Sequence, residues 1–316
     1  MSEVGVHSSE SHLRVHRYQY EVLAALAATT REGGVSYYYG DLYSHGIEVT
    51  AYYNKEGKNS GYYFSFELHY DQLLHAGDRI TLPTMEELTT IRQRFIEVLT
   101  GTDLATILLF PFGKPFDYSR LGQVFDMMHT CRVDYAVQLI GLSEAEMRAY
   151  ARVLNQGHWG NLTTYLPVNR NKKVPKTFES SCYLEQRIKT KSGDGNLRLR
   201  VNFYDKQHCF TDTQKKRKHP ISPEVLKQSE GIFRLEVQVF KPVLEYLESA
   251  DDKQLNITGR YLPELLTAQM SQHFVRKYLV QSAVAVTITS VPPPRRSNKI
   301  GNSVCRRTPK TAFVPC

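Results

Sequence analysis

The sequence predicts an α+β fold with an antiparallel-rich β-sheet and helices packed on one of its faces. Three segments, residues 132–139, 197–206 and 233–239, alternate apolar and polar residues with the period of a half-buried strand. Capping motifs followed by apolar residues at helical spacing mark helices elsewhere in the chain. Tyrosine is abundant, with 20 residues, and aromatic side chains suit a sheet. The order of hairpin, helix and strand is compatible with a duplicated βαβ-like plan, although no sequence repeat is visible.

The two ends of the chain differ in composition from the middle. Residues 1–15 are polar and rich in His and Ser, which predicts a flexible N-terminal arm. Residues 16–290 are predicted to form the folded domain, and halves of about 16–125 and 126–290 fit the duplicated plan. The sequence VPPPRRSNK follows, and no periodic apolar pattern returns after it. Residues 291–316 are therefore predicted to be a disordered basic tail.

The first half carries a predicted β-hairpin and a predicted helix. Residues 47–53 and 62–70 have the composition of strands, and the turn-rich sequence NKEGKNSG joins them. Glu67 lies in the second of these strands, and whether it joins a metal site is left open. The sequence TMEE at 84–87 is a capping box, and apolar residues follow it at helical spacing. A second capping box, SEAE at 143–146, opens another helix, and both helices are predicted to cover the apolar face of the sheet.

The three alternating segments place chemically distinct residues on their polar faces. In residues 197–206, which read LRLRVNFYDK, the polar side chains are Arg198, Arg200, Asn202, Tyr204 and Lys206. Residues 132–139 contribute Arg132 and Asp134, and residues 233–239 contribute Arg234 and Glu236. If the three strands share one sheet, two carboxylates, a phenol and several cations lie on a common surface.

These residue types suit chemistry on a phosphodiester. Two carboxylates are hard oxygen ligands for Mg²⁺ or Mn²⁺. A tyrosine hydroxyl can attack phosphorus once a metal or a base draws off its proton, and arginines bind phosphate bidentately. Charges on the solvent face of any one strand are commonplace, so the combination across three strands carries the hypothesis. That combination fits DNA strand transfer.

Positive charge is concentrated next to the central segment. The chain has a net charge of +8; residues 187–219 alone carry +7 and residues 292–316 carry +6, which leaves the rest of the chain at −5. A predicted basic loop before Pro220 contains Lys215, Lys216, Arg217 and Lys218. Such clustering is the footprint of a polyanion partner, because each phosphate that is neutralised releases counterions.

Three motifs in a fixed order carry a resemblance to a known family. They are R-h-D, h-x-F-Y-x-K and F-R-h-E-h (h apolar), present here as RVDYAV, VNFYDK and IFRLEVQVFKPVL. Over about residues 45–250 the chain resembles the filamentous-phage and plasmid gene II family of rolling-circle replication initiators. It is more distantly similar to the initiators of small Gram-positive rolling-circle plasmids. The resemblance implies that Tyr204 is the nucleophile and that Asp134 and Glu236 are metal ligands. The family often has a Glu soon after Y-x-K, whereas this chain continues with Gln207, His208 and Cys209, so no role of that Glu is carried over.

The resemblance implies a site-specific DNA nickase and strand transferase that initiates rolling-circle replication. Tyr204 is expected to attack a phosphodiester in the origin, leaving a 3′-OH primer and a 5′-phosphotyrosine. Lys206 and Arg234 are expected to neutralise the scissile phosphate. The residues expected to contact DNA elsewhere are Arg132, Arg198, Arg200, Lys215, Lys216, Arg217 and Lys218. The expected partners are origin DNA, single-stranded or supercoiled, and a host helicase and polymerase, because the sequence contains no ATP-binding P-loop.

Two other functions remain compatible with the sequence. One is a non-catalytic origin-binding or regulatory protein with the same basic surface, and the other is a metal-dependent nuclease that uses water as its nucleophile. No apolar run approaches the ~20 residues of a membrane helix, and the N-terminus lacks an apolar signal core, so we expect a cytoplasmic protein without membrane contact. The five cysteines form no CxxC pair, and an odd number in a cytoplasmic chain predicts free thiols.

Overall fold

The structure is a computed structural model of the whole chain. It describes residues 4–280 except residues 28, 32–35, 56–59, 76–79, 81, 157–158, 160, 165–180, 191–192, 218–221, 250–254 and 256. The described residues belong to one compact unit, which ends at Val286. The predicted basic tail, residues 291–316, lies outside the described residues.

The described residues form one ten-stranded sheet in which every paired strand is antiparallel to its neighbour. The strands are β1 (Gly5–Val15), β2 (Thr29–Arg31), β3 (Ser36–Tyr39), β4 (Ile47–Asn54), β5 (Gly61–His69), β6 (His129–Leu139), β7 (Thr163–Thr164), β8 (Ser181–Thr190), β9 (Gly193–Asp205) and β10 (Phe233–Phe240). Their order across the sheet is β2-β3-β4-β5-β1-β6-β10-β9-β8-β7. The predicted α+β class with an antiparallel sheet is confirmed.

The helices connect the strands and extend the chain beyond β10. They are α1 (Arg17–Leu26), α2 (Tyr70–His75), α3 (Met85–Leu88), α4 (Ile91–Leu99), α5 (Asp103–Leu109), α6 (Leu121–Asp126), α7 (Glu144–Gln156), α8 (Lys206–Arg217), α9 (Pro223–Gln228), α10 (Lys241–Ser249), α11 (Leu262–Leu265) and α12 (Ala268–Val275). Short 3₁₀ turns lie at Tyr43–His45, Phe110–Phe112 and Tyr118–Arg120, and a π-helical turn lies at Arg276–Val280. No single helix within the described residues is long and apolar enough to cross a membrane. α4 and the segment from Asp103 to Phe112 have that length and apolar character when taken together, but a bend of 108° separates them.

The sheet is assembled from two halves with the same order of strands. The first half runs β1-α1-β2-β3-β4-β5 and the second runs β6-α7-β7-β8-β9-α8-α9-β10, so α8 and α9 are additional to the second half. In each half the last strand returns to pair with the first, and β1 and β6 pair antiparallel at the centre of the sheet. A helix, α2 or α10, begins directly after the last strand of each half. The strand order is therefore symmetric about the β1–β6 pair, and each half is longer than the predicted βαβ unit and has no parallel strands.

One face of the sheet is apolar and is covered by helices. Phe66 on β5 contacts Phe95 on α4, and Phe95 contacts Phe125 on α6, with ring centroids 6.2 and 5.3 Å apart. In the second half, Tyr135 on β6 stacks on Phe274 of α12 at 5.2 Å. These rings belong to one apolar core, and burial of apolar surface is the main favourable contribution to folding. Because the helices occupy this face, the polar residues of the strands lie together on the other.

The N-terminal residues do not form the predicted flexible arm. Residues from Gly5 onward form β1, which lies between β5 and β6 near the centre of the sheet. On its apolar side, β1 presents two buried serines: Ser9 Oγ lies 2.6 Å from Tyr70 Oη, and Ser11 Oγ lies 3.2 Å from Thr130 Oγ1. The alternation of hydrophobic residues that usually identifies a strand is therefore weak here, and the polar composition gave the wrong prediction.

Candidate functional site

The register of β6, β9 and β10 brings the predicted site residues onto one face of the sheet. In β10, Arg234 pairs with Tyr204 on β9, and Glu236 pairs with Asn202. On the other side of β10, Gln238 pairs with Asp134 of β6. Because residues at even spacing in a strand share a face, these side chains form one polar surface.

The Tyr204 hydroxyl is held by the Glu236 carboxylate. Tyr204 Oη donates a hydrogen bond to Glu236 Oε2 at 2.8 Å. The other oxygen, Oε1, accepts from Gln238 Nε2 at 2.8 Å and from Asn202 Nδ2 at 3.3 Å. Burial raises the pKa of Tyr204 well above its ordinary value, and the charge of Glu236 adds to this effect. The phenol therefore keeps its proton until a base takes it, and Glu236 is the acceptor already in contact.

Asp134 lies next to this pair and is almost completely buried. Its Oδ2 accepts from Ser8 Oγ at 2.6 Å and from Gln238 Nε2 at 3.4 Å, so the Gln238 amide lies between the Asp134 and Glu236 carboxylates. Burial raises the pKa of Asp134 to about 7; Arg132 opposes this rise, and the charge of Glu236 adds to it. Among the described residues, Asp134 Oδ1 has no hydrogen-bond partner, although Arg132 Nε approaches it to 3.3 Å. The Gln238 amide therefore bridges the two carboxylates, and Asp134 Oδ1 is the buried carboxylate oxygen that remains without a hydrogen bond in the described part of the chain.

Tyr204 is buried, whereas the sequence predicted an exposed phenol. Only 8% of Tyr204 and 4% of Glu236 are accessible to solvent. The segment before α3 contacts residues next to this pair: Ile80 O accepts from Arg234 Nη2 at 3.1 Å and from Gln138 Nε2 at 3.3 Å. These contacts join positions far apart in the sequence, so strand alternation alone could not reveal them.

Two buried cations lie beside the Tyr204 strand. Arg234 is fully buried; its Nη1 donates to His7 Nδ1 at 3.0 Å, while its Nε has no hydrogen-bond partner within the described part of the chain. Lys206 begins α8 instead of continuing β9, and its Nζ lies 4.3 Å from the centre of the Phe210 ring. Burial lowers the pKa of Lys206 to about 8, and the charge of Arg234 contributes to this. Arg234 and Lys206 therefore place two cations in the buried surroundings of the Tyr204–Glu236 pair.

Arg132, predicted as a DNA contact, is bound by three carboxylates instead. Its guanidinium lies 2.8 Å from Glu67 Oε1, 3.3 Å from Asp134 Oδ1 and 3.6 Å from Glu10 Oε2. The Coulomb interaction with Asp134 raises the pKa of Arg132, with Glu67 and Glu10 adding to it. Arg132 therefore holds carboxylates from three neighbouring strands, β1, β5 and β6, close together on the polar surface.

The other predicted DNA contacts are distributed over β9 and α8. Arg200 lies 3.7 Å from Glu185 Oε2 and 5.7 Å from the centre of the Phe240 ring, and Arg198 is half-buried. Residues 215–217 were predicted as a loop, but their backbone forms the last turn of α8. The high density of positive charge in these residues suggested a loop. Positive charge is nevertheless favourable near the C-terminus of a helix, so this composition is compatible with a helix end. Lys218 lies outside the described residues.

A second cluster on the same face could hold a metal ion. Glu48 on β4 and Glu67 and His69 on β5 each offer a ligand atom, and these atoms lie within 4.8 Å of one another. His69 Nε2 lies 3.7 Å from Glu48 Oε1 and 3.8 Å from Glu67 Oε1, distances that suit ligands around a shared ion better than a direct hydrogen bond. Tyr38 Oη donates to Glu48 at 3.1 Å, and Arg132 donates to Glu67, so both carboxylates are oriented by neighbours.

The sequence leaves the role of Glu67 open and does not single out Glu48 or His69. Period-2 alternation in the predicted hairpin places Glu48 and Glu67 on one face, and their pairing across β4 and β5 was the signal available. This cluster lies on β4 and β5, whereas Tyr204 and Glu236 lie on β9 and β10. Arg132 links the two groups, because its guanidinium contacts both Glu67 and Asp134.

The polar surface thus combines a tyrosine held by a carboxylate, a neighbouring buried aspartate, two buried cations and a separate Glu-Glu-His cluster. Each group is positioned by the register of an antiparallel sheet. Compared with models of known protein families and with curated proteins, the sequence matches none of them.

Proposed function

We propose that the chain is a rolling-circle replication initiator that nicks origin DNA and transfers the cut strand through Tyr204. The observation that carries the proposal is the hydrogen bond from Tyr204 Oη to Glu236 Oε2, at 2.8 Å, on a surface shared with Asp134, Arg234 and Lys206. A nucleophile, a base that contacts it and buried cations next to both are the parts that attack on a phosphodiester requires. The resemblance of the three sequence motifs supports the same assignment.

In the proposed reaction the Tyr204 oxygen forms a bond to phosphorus while the bond from phosphorus to the 3′-oxygen breaks. The phenolic proton passes to Glu236 Oε2. The 3′-oxygen leaves as a hydroxyl, and Lys206, an ammonium whose pKa is lowered to about 8, is suited to supply its proton. The 5′-phosphate remains on Tyr204 until a 3′-OH attacks it in the reverse sense, which transfers the strand. Arg234 and Lys206 neutralise the phosphate oxygens.

We assign the cofactor as Mg²⁺ or Mn²⁺, with Asp134 and Glu236 as its ligands near Tyr204. The unsatisfied Asp134 Oδ1 and the raised pKa of this carboxyl fit a cation, which relieves the repulsion between the two acids. A bound divalent ion polarises the scissile phosphate and stabilises the charge that builds on it. An ion on Glu48, Glu67 and His69 has one imidazole ligand, which favours Mn²⁺ over Mg²⁺ at that cluster.

Denaturing electrophoresis tests the proposal. Single-stranded oligonucleotides that tile the replicon encoding the chain are labelled at the 3′ end and mixed with the full-length chain and Mn²⁺. The 3′-labelled fragment carries the new 5′-phosphate, so we expect labelled DNA that migrates with the protein under denaturing conditions. Tyr204→Phe should give no such band while DNA binding stays near wild type.

Tyr183→Phe is the matched control, because it removes a phenol from the neighbouring strand, where Tyr183 pairs with Asn202. This variant should form the adduct as the wild type does. Cleavage without any protein–DNA band would identify a nuclease that uses water. Binding without cleavage in the wild type would identify a non-catalytic origin-binding protein.

A further inference from the structure

A cluster on the polar face, remote from Tyr204, combines a thiol, an imidazole and a carboxylate. Cys131 Sγ on β6 lies 3.2 Å from His12 Nδ1 on β1, and Tyr52 Oη on β4 lies 2.9 Å from the same nitrogen. His12 Nε2 lies 3.5 Å from Glu10 Oε1. The cluster belongs neither to the Tyr204 site nor to the Glu-Glu-His cluster.

An irregularity in the β1–β6 ladder brings Cys131 to this face. Glu10 pairs with Arg132 and Ser11 pairs with Thr130, so Cys131 is passed over by the pairing. In a regular strand, Cys131 would point away from the face that Arg132 occupies. The extra residue of a β-bulge redirects a side chain, and here it places the thiol against His12.

The contacts of His12 define where the thiol proton can go. A neutral ring with its lone pair at Nδ1 accepts a proton from the Cys131 thiol, which lies 3.2 Å away. The resulting imidazolium donates from Nδ1 to the sulfur, and its Nε2 faces Glu10. The other charged or titratable groups around the pair are Tyr63 on β5 and Arg132 on β6.

The titration of His12 agrees with this geometry. Burial lowers the pKa of His12, but the hydrogen bonds with Cys131 and Glu10 outweigh burial and raise it to about 9. Cys131 is half-exposed, so a small reagent can reach it. Cys182, by contrast, is buried, and burial raises its pKa to about 12.

We propose that Cys131 is a nucleophilic thiolate paired with the His12 imidazolium, and that it is a site of covalent modification by small soft electrophiles. The thiol proton passes to His12 Nδ1, and the sulfur electron pair forms the new bond while the leaving group departs with the electrons of the broken bond. Glu10 holds the imidazolium from its far side. The proposal is independent of DNA cleavage.

Iodoacetamide is the probe, because it forms a sulfur–carbon bond and releases iodide. The full-length chain is alkylated at pH 6 and at pH 8, and peptide mapping gives the rate at each cysteine. The rate at Cys131 should change less than about 3-fold over this range, whereas a free thiol with a pKa near 8.5, such as glutathione, should accelerate about 75-fold. Cys182 should remain essentially unmodified. A Cys131 profile parallel to that of glutathione, or a rate no higher than that of Cys182, would overturn the proposal.

His12→Gln is the matched variant, since it keeps a polar side chain but cannot become a cation. Its Cys131 should react at least 10-fold more slowly than wild type at pH 6 and should regain the steep dependence on pH. An unchanged rate at pH 6 would remove His12 from the proposal and so defeat it. If His12→Gln loses its cooperative unfolding transition, the pH dependence of Cys131 alkylation in the wild type is the test of the proposal.

Discussion

At the scale of single residues, Glu236 is the group around which the site is arranged. Its carboxylate accepts hydrogen bonds from Tyr204, Asn202 and Gln238, which come from two strands. Strand alternation in the sequence was sufficient to place Glu236 and Tyr204 on a common face. It could not show that the hydroxyl is buried, because burial depends on contacts between distant segments, such as the hydrogen bond from Arg234 to the carbonyl of Ile80, 154 positions before it. Burial changes what substitutions at this site are expected to do.

Tyr204→Phe should destabilise the fold as well as abolish the nucleophile. The substitution removes a buried hydrogen bond and leaves the charged Glu236 with one donor fewer, so the free energy of unfolding should fall by about 1–2 kcal/mol. Urea unfolding of the wild type and the variant measures the difference. An unchanged midpoint would mean that this hydrogen bond contributes nothing to stability.

Asp134 should make stability depend on pH. The pKa of Asp134 is raised from 3.8 to about 7 by burial, so between these values the folded chain holds a proton that the unfolded chain has released. The stabilisation is therefore complete below pH 4 and is lost as the pH rises through 7. Asp134→Asn cannot titrate, so in EDTA it should gain stability relative to wild type as the pH rises from 4 to 7.5. Unfolding midpoints that run parallel over this range would contradict the burial of a protonated Asp134.

At the scale of elements, β1 and the helical segment after residue 84 differ from what the sequence predicts. The polar segment before residue 16 is a central strand, because its buried serines hydrogen-bond to Tyr70 and Thr130 where hydrophobic residues would normally pack. The predicted helix after residue 84 is also interrupted, giving α3 and α4. The Thr89 and Thr90 hydroxyls donate to the carbonyls of Glu86 and Glu87 at 2.6 and 2.7 Å, which competes with helix continuation.

Removal of β1 should prevent folding. A chain that begins at residue 16 leaves β5 and β6 without the strand that joins them and exposes Asp134 to solvent. We expect no cooperative urea transition from this chain. The control is a chain that ends at Ser290, which retains the whole compact unit up to Val286 and should unfold and cleave DNA like the full chain. A cooperative transition with a wild-type midpoint in the chain from residue 16 would restore the flexible-arm interpretation.

The cations near the end of α8 should govern the salt dependence of DNA binding. Replacing Lys215, Lys216, Arg217 and Lys218 with Gln removes four positive charges. If all four contact phosphates, the log–log salt slope for single-stranded DNA should become shallower by about 3, since each phosphate contact contributes about 0.7. Fluorescence anisotropy at a series of salt concentrations measures the slope. A slope equal to that of wild type would assign these charges to solvent.

At the scale of the whole molecule, the two halves share a topology but not their polar residues. Glu67 on β5 pairs with Glu10 on β1, and Gln238 on β10 pairs with Asp134 on β6. Glu67 and Gln238 therefore occupy equivalent positions in the two halves. In the next pair of strands, Tyr52 on β4 lies opposite Tyr63 on β5, and Tyr204 on β9 lies opposite Arg234 on β10. Tyr52 and Tyr204 therefore occupy equivalent positions in the two halves. The Glu-Glu-His cluster has no counterpart, because the equivalent positions in the second half are Arg200, Gln238 and Phe240.

The sequence was most informative where strands combine clear alternation with charged residues. Such alternation identified β6, β9 and β10 and the face that Asp134, Tyr204 and Glu236 share. The symmetry of the strand order was visible only as an order of elements, because equivalent positions carry different side chains. The Glu48 and His69 cluster depends on the pairing of β4 with β5, and the role of Arg132 depends on acids from two other strands. Contacts of this kind follow from register, which sequence patterns do not specify residue by residue.

The most direct test of the central claim is to locate the DNA on the protein. The adduct formed with 3′-labelled single-stranded DNA and Mn²⁺ is digested with nuclease and trypsin, and the peptides are sequenced by mass spectrometry. Trypsin cuts after Arg200 and Lys206, so residues 201–206, VNFYDK, form a peptide with a single tyrosine. Attack by Tyr204 predicts a nucleotide 5′-phosphate on this peptide. A nucleotide on any other peptide, or no adduct at all, would contradict it.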